Sequence, residues 1–240
     1  MNQLQQIWAI ALKELKSYFV SPIAYIVTAM FLLISGYFFT LILQITKDAG
    51  MMTYLFGNMA VVLLLMAPLI SMRLLAEEQR AKTLELLLTS PISDAGIVLG
   101  KFIASALLLL VMLAMTLHFP IILIVLGNPD GWPILSGYAG IFLMGCAFLA
   151  IGMLTSSWTQ NQIIAAVSAF GISLLLWFLG AASGQATGGS AEILKYLSLN
   201  THYESYAKGL LSLSDSLYYI SLIGLLLFLT IRSLETRRWR

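Results

Sequence analysis

The chain has 240 residues, of which 60% are hydrophobic and only 10% are charged. Soluble domains carry charge on about a quarter of their residues, so this composition excludes an ordinary soluble enzyme or binding domain and predicts an integral membrane protein. The net charge of +2 favours no partner by itself, and the single cysteine, Cys146, excludes an intrachain disulfide and a cysteine zinc cluster. Because membrane spans consume most of the length, no room is left for a separate catalytic domain.

Residues 1–21 are predicted to form an amphipathic helix that lies in the membrane interface. Its apolar residues recur at helical spacing: Leu4, Ile7, Trp8, Ala11, Leu15 and Tyr18. Trp8 and Tyr18 suit the headgroup level, with Lys13 and Lys16 as further anchors. A cleaved signal peptide is disfavoured, because the next apolar run exceeds a signal core and no small-residue cleavage site follows. Pro22 is predicted to end the helix.

Six apolar runs of about 20 residues follow, which is the length a helix needs to cross a bilayer. Continuous Leu, Ile, Val and Ala runs argue against the alternating pattern of a membrane barrel. The sequence therefore predicts an all-α polytopic membrane protein with one six-span domain over residues 22–240. The predicted spans are 24–45, 54–75, 97–126, 136–156, 163–181 and 217–231.

Lysine and arginine are distributed unevenly between alternate loops. Ten lie on one side, which includes segment 72–101 and the C-terminal run, and three lie on the other, at Lys47, Lys195 and Lys208. Because basic residues collect on the cytoplasmic side, both termini and segment 72–101 are predicted to be cytoplasmic, and segment 182–216 external.

Segment 72–101 is too polar to lie in hydrocarbon, since it holds eight of the 24 formally charged side chains (13 basic and 11 acidic). Glu78 with Lys82, and Glu77 with Arg80, have the spacing of helical ion pairs worth about 0.3 to 0.5 kcal/mol each. Together with an apolar stripe at Leu84, Leu87 and Leu88, these pairs predict an amphipathic surface helix between spans two and three. A plain solvated loop is an equal alternative on composition alone.

The end of this segment begins the third span. Ser93 is predicted to cap the span's helix, with Asp94 in its first turn. Residues 96–101 come close to a phosphate loop, but only three residues separate the two glycines, and Phe102 stands where a hydroxyl is needed. Lys101 is therefore predicted to lie at the headgroup boundary.

Histidines are the main candidates for further chemistry. His118 in the third span is a candidate proton relay, although a backbone hydrogen bond or a place near the outer interface is the favoured interpretation. In the external segment 182–216, the tyrosines suit an interface. His202, Glu204 and Asp215 match no recognised metal-ligand spacing, so no metal site is predicted.

The run from Arg73 to Lys101 resembles the cytoplasmic segment of ABC-2 type transporter permeases. The matching elements, in order, are Glu77-Glu78, Arg80, Thr83-Leu84-Glu85, Ser90-Pro91 and Gly100-Lys101. The resemblance extends to Lys13-Glu14 in the N-terminal helix, to the turn at 159–162 and to the stretch before span six. It is strongest to the branch associated with gliding motility and nitrous-oxide-reductase maturation. One departure is Ala81-Lys82, where the family often has glycine before the threonine.

This resemblance implies a permease subunit of an ATP-driven transporter, an exporter in a bacterial inner membrane. The implied partners are two cytoplasmic ATPases, a second permease subunit and membrane lipid, with no nucleic acid. ATP and magnesium would bind at the ATPases, and this chain would hold no cofactor or catalytic site.

The resemblance also assigns roles to residues. The implied ATPase-coupling set is Glu77, Glu78, Arg80, Lys82, Leu84, Glu85 and Leu87, with a second cytoplasmic contact at Thr159, Gln160 and Asn161. The external stretch would form short helices near the exit, with His202, Tyr203 and Tyr206 among its residues.

Two other classes share some of these features. An intramembrane protease of the prenyl-protein type has two adjacent glutamates followed by Arg, which Glu77-Glu78 and Lys82 match in part. An ion-coupled carrier would need buried ionisable groups, and the predicted spans contain few. The transported substrate is not determined by any of these patterns.

Overall fold

The computed structural model describes residues 3–45, 51–84, 92–126, 131–184 and 188–238. Every element in these residues is a helix, so the predicted all-α class is confirmed. The helices are α1 (Gln3–Val20), α2 (Pro22–Ile45), α3 (Met51–Ser71), α4 (Arg73–Arg80), α5 (Asp94–Met115), α6 (His118–Leu126), α7 (Gly131–Trp158), α8 (Gln162–Ser183), α9 (Gly189–Leu197), α10 (Leu199–Ala207) and α11 (Leu213–Arg238).

Six helical stretches in the described residues are long and apolar enough to cross a membrane, which confirms the six predicted spans. They are Pro22–Ile45, Met51–Arg80, Asp94–Val125, Gly131–Trp158, Gln162–Ser183 and Leu213–Thr236. Helices α3 and α7 are mostly buried inside the bundle, whereas only a small share of α2 and α8 is buried. The core of the protein therefore lies along α3 and α7.

Two predicted helix boundaries are confirmed. Helix α1 ends at Val20 and α2 begins at Pro22, because proline suits the first turn of a helix but cannot continue the preceding one. Ser93 caps α5, and its hydroxyl accepts a hydrogen bond from the Gly96 amide at 3.1 Å.

The third span is broken at Thr116 and Leu117, between α5 and α6. The Thr116 hydroxyl donates to the Leu113 carbonyl at 2.7 Å, and Tyr138 of α7 donates to the Thr116 carbonyl at 3.0 Å. These bonds satisfy polar groups that a break inside a span would otherwise expose. His118 begins α6 with Nδ1 2.7 Å from the Met115 carbonyl, which is the backbone hydrogen bond favoured above.

Segment 72–101 does not begin with the separate surface helix predicted between spans two and three. Its first helix, α4, directly continues α3, and the stretch Met51–Arg80 forms one extended span helix. Helix α4 ends at Arg80, and Lys82 has a positive φ of 56°, which a helix cannot contain. Glu85 and Leu87 of the predicted coupling set lie outside the described residues.

Candidate functional site

A buried lysine joins three helices at one end of the bundle. Lys101 of α5 places its Nζ 2.8 Å from Glu14 Oε1 of α1 and 2.8 Å from Glu78 Oε1 of α4, and only 2% of its side chain is exposed. The place of Lys101 at the headgroup boundary stays a prediction, but its ammonium does not extend into water. Its ammonium is taken up by two carboxylates, which compensate for its removal from water. We call Lys101, Glu14 and Glu78 the charged junction.

Glycine at position 100 lets α1 approach α5 closely enough to form this junction. A Cβ atom at Gly100 would lie 2.8 Å from Ile10 Cβ and 2.9 Å from the Ile7 carbonyl oxygen, distances at which atoms overlap. Ile10 and Ala11 are buried in the resulting contact. The Gly100-Lys101 pair thus combines close backbone approach with a cation that holds the approaching helix.

Among the four predicted anchors of α1, only Tyr18 faces the bundle. Tyr18 is buried, and its hydroxyl donates to the Ile70 carbonyl of α3 at 3.4 Å. Burial raises the pKa of Tyr18 above its ordinary value, and the nearby Glu14 carboxylate adds to this rise. Trp8, Lys13 and Lys16 are exposed, and their role as membrane anchors stays a prediction.

The glutamates of α4 form ion pairs with residues other than those expected from spacing along the helix. Glu77 pairs with Arg73 at 2.8 Å, and Glu78 pairs with Lys101, so the predicted Glu77–Arg80 and Glu78–Lys82 pairs are wrong. The reason is that α4 continues α3 and turns Glu78 inward, toward α5. Glu78 Oε2 is buried and has no hydrogen-bond partner among the described residues.

A further set of bonds ties α4 to the other helices at this end. Gln79 donates from Nε2 to the carbonyls of Ser156 at 3.2 Å and Ser157 at 3.0 Å, at the end of α7. The Ser157 hydroxyl donates to Ser233 of α11 at 2.9 Å. Arg73 reaches the Ser21 hydroxyl between α1 and α2 at 3.0 Å. These bonds connect α4 to α7, to the link between α1 and α2 and, through Ser157, to α11.

The remaining coupling candidates divide into exposed and internal side chains. Glu77, Arg80 and Lys82 are exposed, whereas Leu84 is buried and Glu78 points into the junction. Gln79, which sequence reasoning missed, is buried and bridges to α7. The exposed residues, in the last turn of α4 and just after it, are accessible to a soluble partner.

The turn at Thr159, Gln160 and Asn161 lies at the same end of the bundle, since it directly follows the end of α7 that Gln79 contacts. Asn161 caps α8, with its Oδ1 accepting from the Ile163 amide at 2.9 Å. Gln160 is exposed. A contact with a partner at this turn stays a prediction.

The exit candidates lie at the opposite end of the spans. Tyr206 packs over Gly140 of α7, and its carbonyl accepts from Ser136 at 2.9 Å. His202 Nδ1 lies 2.7 Å from Asp215 Oδ1 of α11. Tyr203 is buried, and its hydroxyl has no hydrogen-bond partner in the described part of the chain; burial raises its pKa above the ordinary value. The structure brings these residues together as predicted neighbours, without testing an exit role.

Similarity to known proteins agrees with this architecture. The family described as ABC-2 family transporter protein matches residues 8–233, nearly the whole chain. The chain belongs to this ABC-2 family. It is accordingly a membrane permease of an ABC transporter, and the matched region contains the first five spans whole and most of α1 and of the sixth span. No curated protein matches the sequence.

The two alternative classes are not favoured. Family membership separates the permease from the prenyl-protein proteases, and Glu77 and Glu78 are both held in ion pairs. The buried cation Lys101 is paired on two sides, as a structural cross-link would be.

Sequence reasoning predicted a surface helix that includes Glu77 and Glu78 but missed their place at the end of span two and the charged junction. Lys13-Glu14 and Gly100-Lys101 both belonged to the family resemblance, yet nothing in a single sequence indicates that Glu14 and Lys101 pair across 87 positions. The signal that was present is the glycine before Lys101, because a glycine in a helix often marks close approach of another backbone.

Proposed function

We propose that this permease is the membrane subunit of an exporter in a bacterial inner membrane, with both termini in the cytoplasm. Two separate cytoplasmic ATPases would bind ATP and magnesium, and a second copy or close relative of this chain would complete the membrane channel. The motif resemblance supports a place in the gliding-motility and nitrous-oxide-reductase-maturation branch.

The observation that carries the coupling proposal is the charged junction. Helix α4 is the continuation of a core span, and Glu78 ties it to α5 through Lys101 and thereby to Glu14 of α1. A partner that moves α4 therefore moves three elements together. A packed element that has two discrete arrangements lets a binding event at one site change the conformation of distant spans.

The partner would bind the exposed side of α4. Glu77, Arg80 and Lys82 are available there, and the exposed turn with Gln160 lies at the same end. Glu78 has a different role, because it transmits the movement of α4 to α5 through Lys101 and does not touch the ATPase. This separates contact residues from transmitting residues within one short helix.

A charge reversal on the exposed side tests the contact. We expect Arg80→Glu combined with Lys82→Glu to leave membrane insertion intact and to weaken ATPase binding and transport-linked ATP hydrolysis by about tenfold, the effect of losing a charge pair at an interface. The measurement is ATP hydrolysis by the permease reconstituted with its partner ATPase.

The matched control exchanges an exposed ion pair elsewhere at the same end. Arg232 and Glu235 of α11 are paired at 2.6 Å, and Arg232→Glu with Glu235→Lys reverses two charges without touching α4. We expect this control to hydrolyse ATP like the wild type. Wild-type ATPase binding and hydrolysis in the Arg80→Glu, Lys82→Glu protein would refute the contact surface.

A further inference from the structure

His202 lies where three helices of the external end meet. Its ring belongs to α10, and its two nitrogens reach the neighbours on either side. Nδ1 is 2.7 Å from the Asp215 carboxylate of α11, and Nε2 is 2.9 Å from the Tyr196 carbonyl of α9. The side chain of His202 is 10% exposed, so water does not replace these partners easily.

Both partners of this ring are hydrogen-bond acceptors, and this determines how many protons the His202–Asp215 pair carries. The Tyr196 carbonyl can only accept, so Nε2 must carry a hydrogen. The contact between Nδ1 and Asp215 Oδ1 needs a second hydrogen, whether it resides on the ring or on the carboxyl group. The pair thus holds one proton more than a neutral histidine beside an ionised aspartate, whichever of the two groups bears it.

The surroundings favour this protonated pair. The His202 ring stacks on Tyr218 of α11 with centroids 3.9 Å apart and an angle of 18°, a geometry in which an aromatic face attracts a cation. Charged and titratable groups from all three helices line the adjoining cleft: Glu192, Lys195 and Tyr196 from α9, Glu204 and Lys208 from α10, and Asp215 from α11. Three carboxylates and two lysines give this cleft one excess negative charge, which a proton on the His202–Asp215 pair would balance.

Other contacts at this end do not depend on a proton in the same way. The hydroxyl of Tyr218 donates to the Leu197 carbonyl at 2.8 Å, and that of Tyr219 donates to the Leu199 carbonyl at 2.8 Å. They hold the junction between α9 and α10 against α11. Helix α9 buries none of its side chains and packs on α8, and the bond from His202 to Tyr196 joins it to α10.

We propose that His202 and Asp215 form a proton-binding site that locks α9 onto α10 and α11. With the proton bound, both ring nitrogens donate and the three helices are joined. When the proton leaves, the neutral ring has one N–H for two acceptors, and either Tyr196 or Asp215 loses its bond. The ring's remaining hydrogen is donated to the charged Asp215, the stronger acceptor, so Tyr196 loses its bond and α9 is loosened there, while the Tyr218 bond still holds Leu197 at the end of α9.

The sign of the pH dependence follows directly. Because the locked arrangement holds the extra proton, it is stabilised at low pH and loosens as pH rises.

Hydrogen–deuterium exchange on the full chain in lipid nanodiscs tests this site. After correction for the chemical exchange rate, we expect the protection of residues 189–197 to fall about tenfold between about pH 6 and about pH 8.5, which corresponds to one lost charge-assisted hydrogen bond. In His202→Gln the protection should not depend on pH. In Asp215→Asn the fall should move to lower pH, because the neutral amide no longer favours the added proton.

His118 provides the matched control, since the chain has only two histidines. His118→Gln should keep the full pH response at residues 189–197, which assigns that response to His202 even if the His202 variant folds poorly. Equal protection of the wild type at both pH values overturns the proposal. So does a wild-type response in His202→Gln, an unchanged midpoint in Asp215→Asn, or loss of the response in His118→Gln.

Discussion

Lys101 Nζ and Glu78 Oε1 lie 2.8 Å apart in a place where only 2% of the lysine side chain is exposed. The contact joins the first turns of one span to the helix that extends another, and Glu14 completes it from α1. Glu78 is thereby removed from the surface on which a partner could act directly. Four predictions examine this junction and its counterparts elsewhere in the bundle.

Replacing Lys101 by methionine should destabilise the protein strongly. The variant keeps the shape of the side chain but leaves Glu14 and Glu78 buried beside each other without a cation, which costs about 3 kcal/mol or more. Adding Glu14→Gln and Glu78→Gln removes the stranded charges and should restore most of the loss. The measurement is the free energy of unfolding in detergent.

Arg232→Met serves as the comparison for that series, because its pair with Glu235 is exposed. Exposed pairs contribute between about 0 and 1 kcal/mol, so this variant should unfold like the wild type. A Lys101→Met protein as stable as Arg232→Met would contradict the structural role of the junction.

Gly100→Ala should push α1 away from α5. The added Cβ would overlap Ile10 and the Ile7 carbonyl, and overpacking of this kind costs about 1 to 3 kcal/mol. Gly57→Ala is the matched control, since a Cβ there would meet nothing within 4 Å and alanine is the better helix former. Unfolding of the two variants in parallel measures the difference, and equal stabilities would argue against a close α1–α5 contact.

Two buried tyrosines should respond oppositely to loss of their hydroxyl. Tyr203→Phe removes a buried hydroxyl that has no partner among the described residues, so it should be neutral or stabilising. Tyr219→Phe leaves the Leu199 carbonyl without its 2.8 Å bond and should cost about 1 kcal/mol. Thermal unfolding of the pair decides the matter, and a destabilised Tyr203→Phe protein would reveal a missing partner.

Tyr18 should make the protein sensitive to alkaline pH. Burial raises its pKa in the folded state, so its stabilising contribution is complete below the ordinary value of about 10 and is lost as pH rises beyond it. The unfolded chain ionises first and gains stability. Wild-type stability should therefore fall more steeply between about pH 9 and pH 11 than that of Tyr18→Phe. Identical slopes would place Tyr18 in contact with water.

Local patterns determined the spans and their limits. A backbone in hydrocarbon must satisfy its own hydrogen bonds, so a helix of sufficient length and apolarity is specified by consecutive residues. The same holds for the breaks, because proline and a capping serine act on their immediate neighbours; Pro22 and Ser93 were predicted from this alone. Family membership was likewise readable, since the motif from Glu77 to Lys101 is contiguous.

Only the tertiary structure decided which charges meet. Spacing along a helix paired Glu77 with Arg80 and Glu78 with Lys82, yet Glu78 bonds Lys101 of another helix, and Glu14 joins from 87 positions away. The same is true of His202, whose partners come from the helices on either side. Charges pair according to distance in space and to the loss of water around them, and both quantities exist only once the helices have packed.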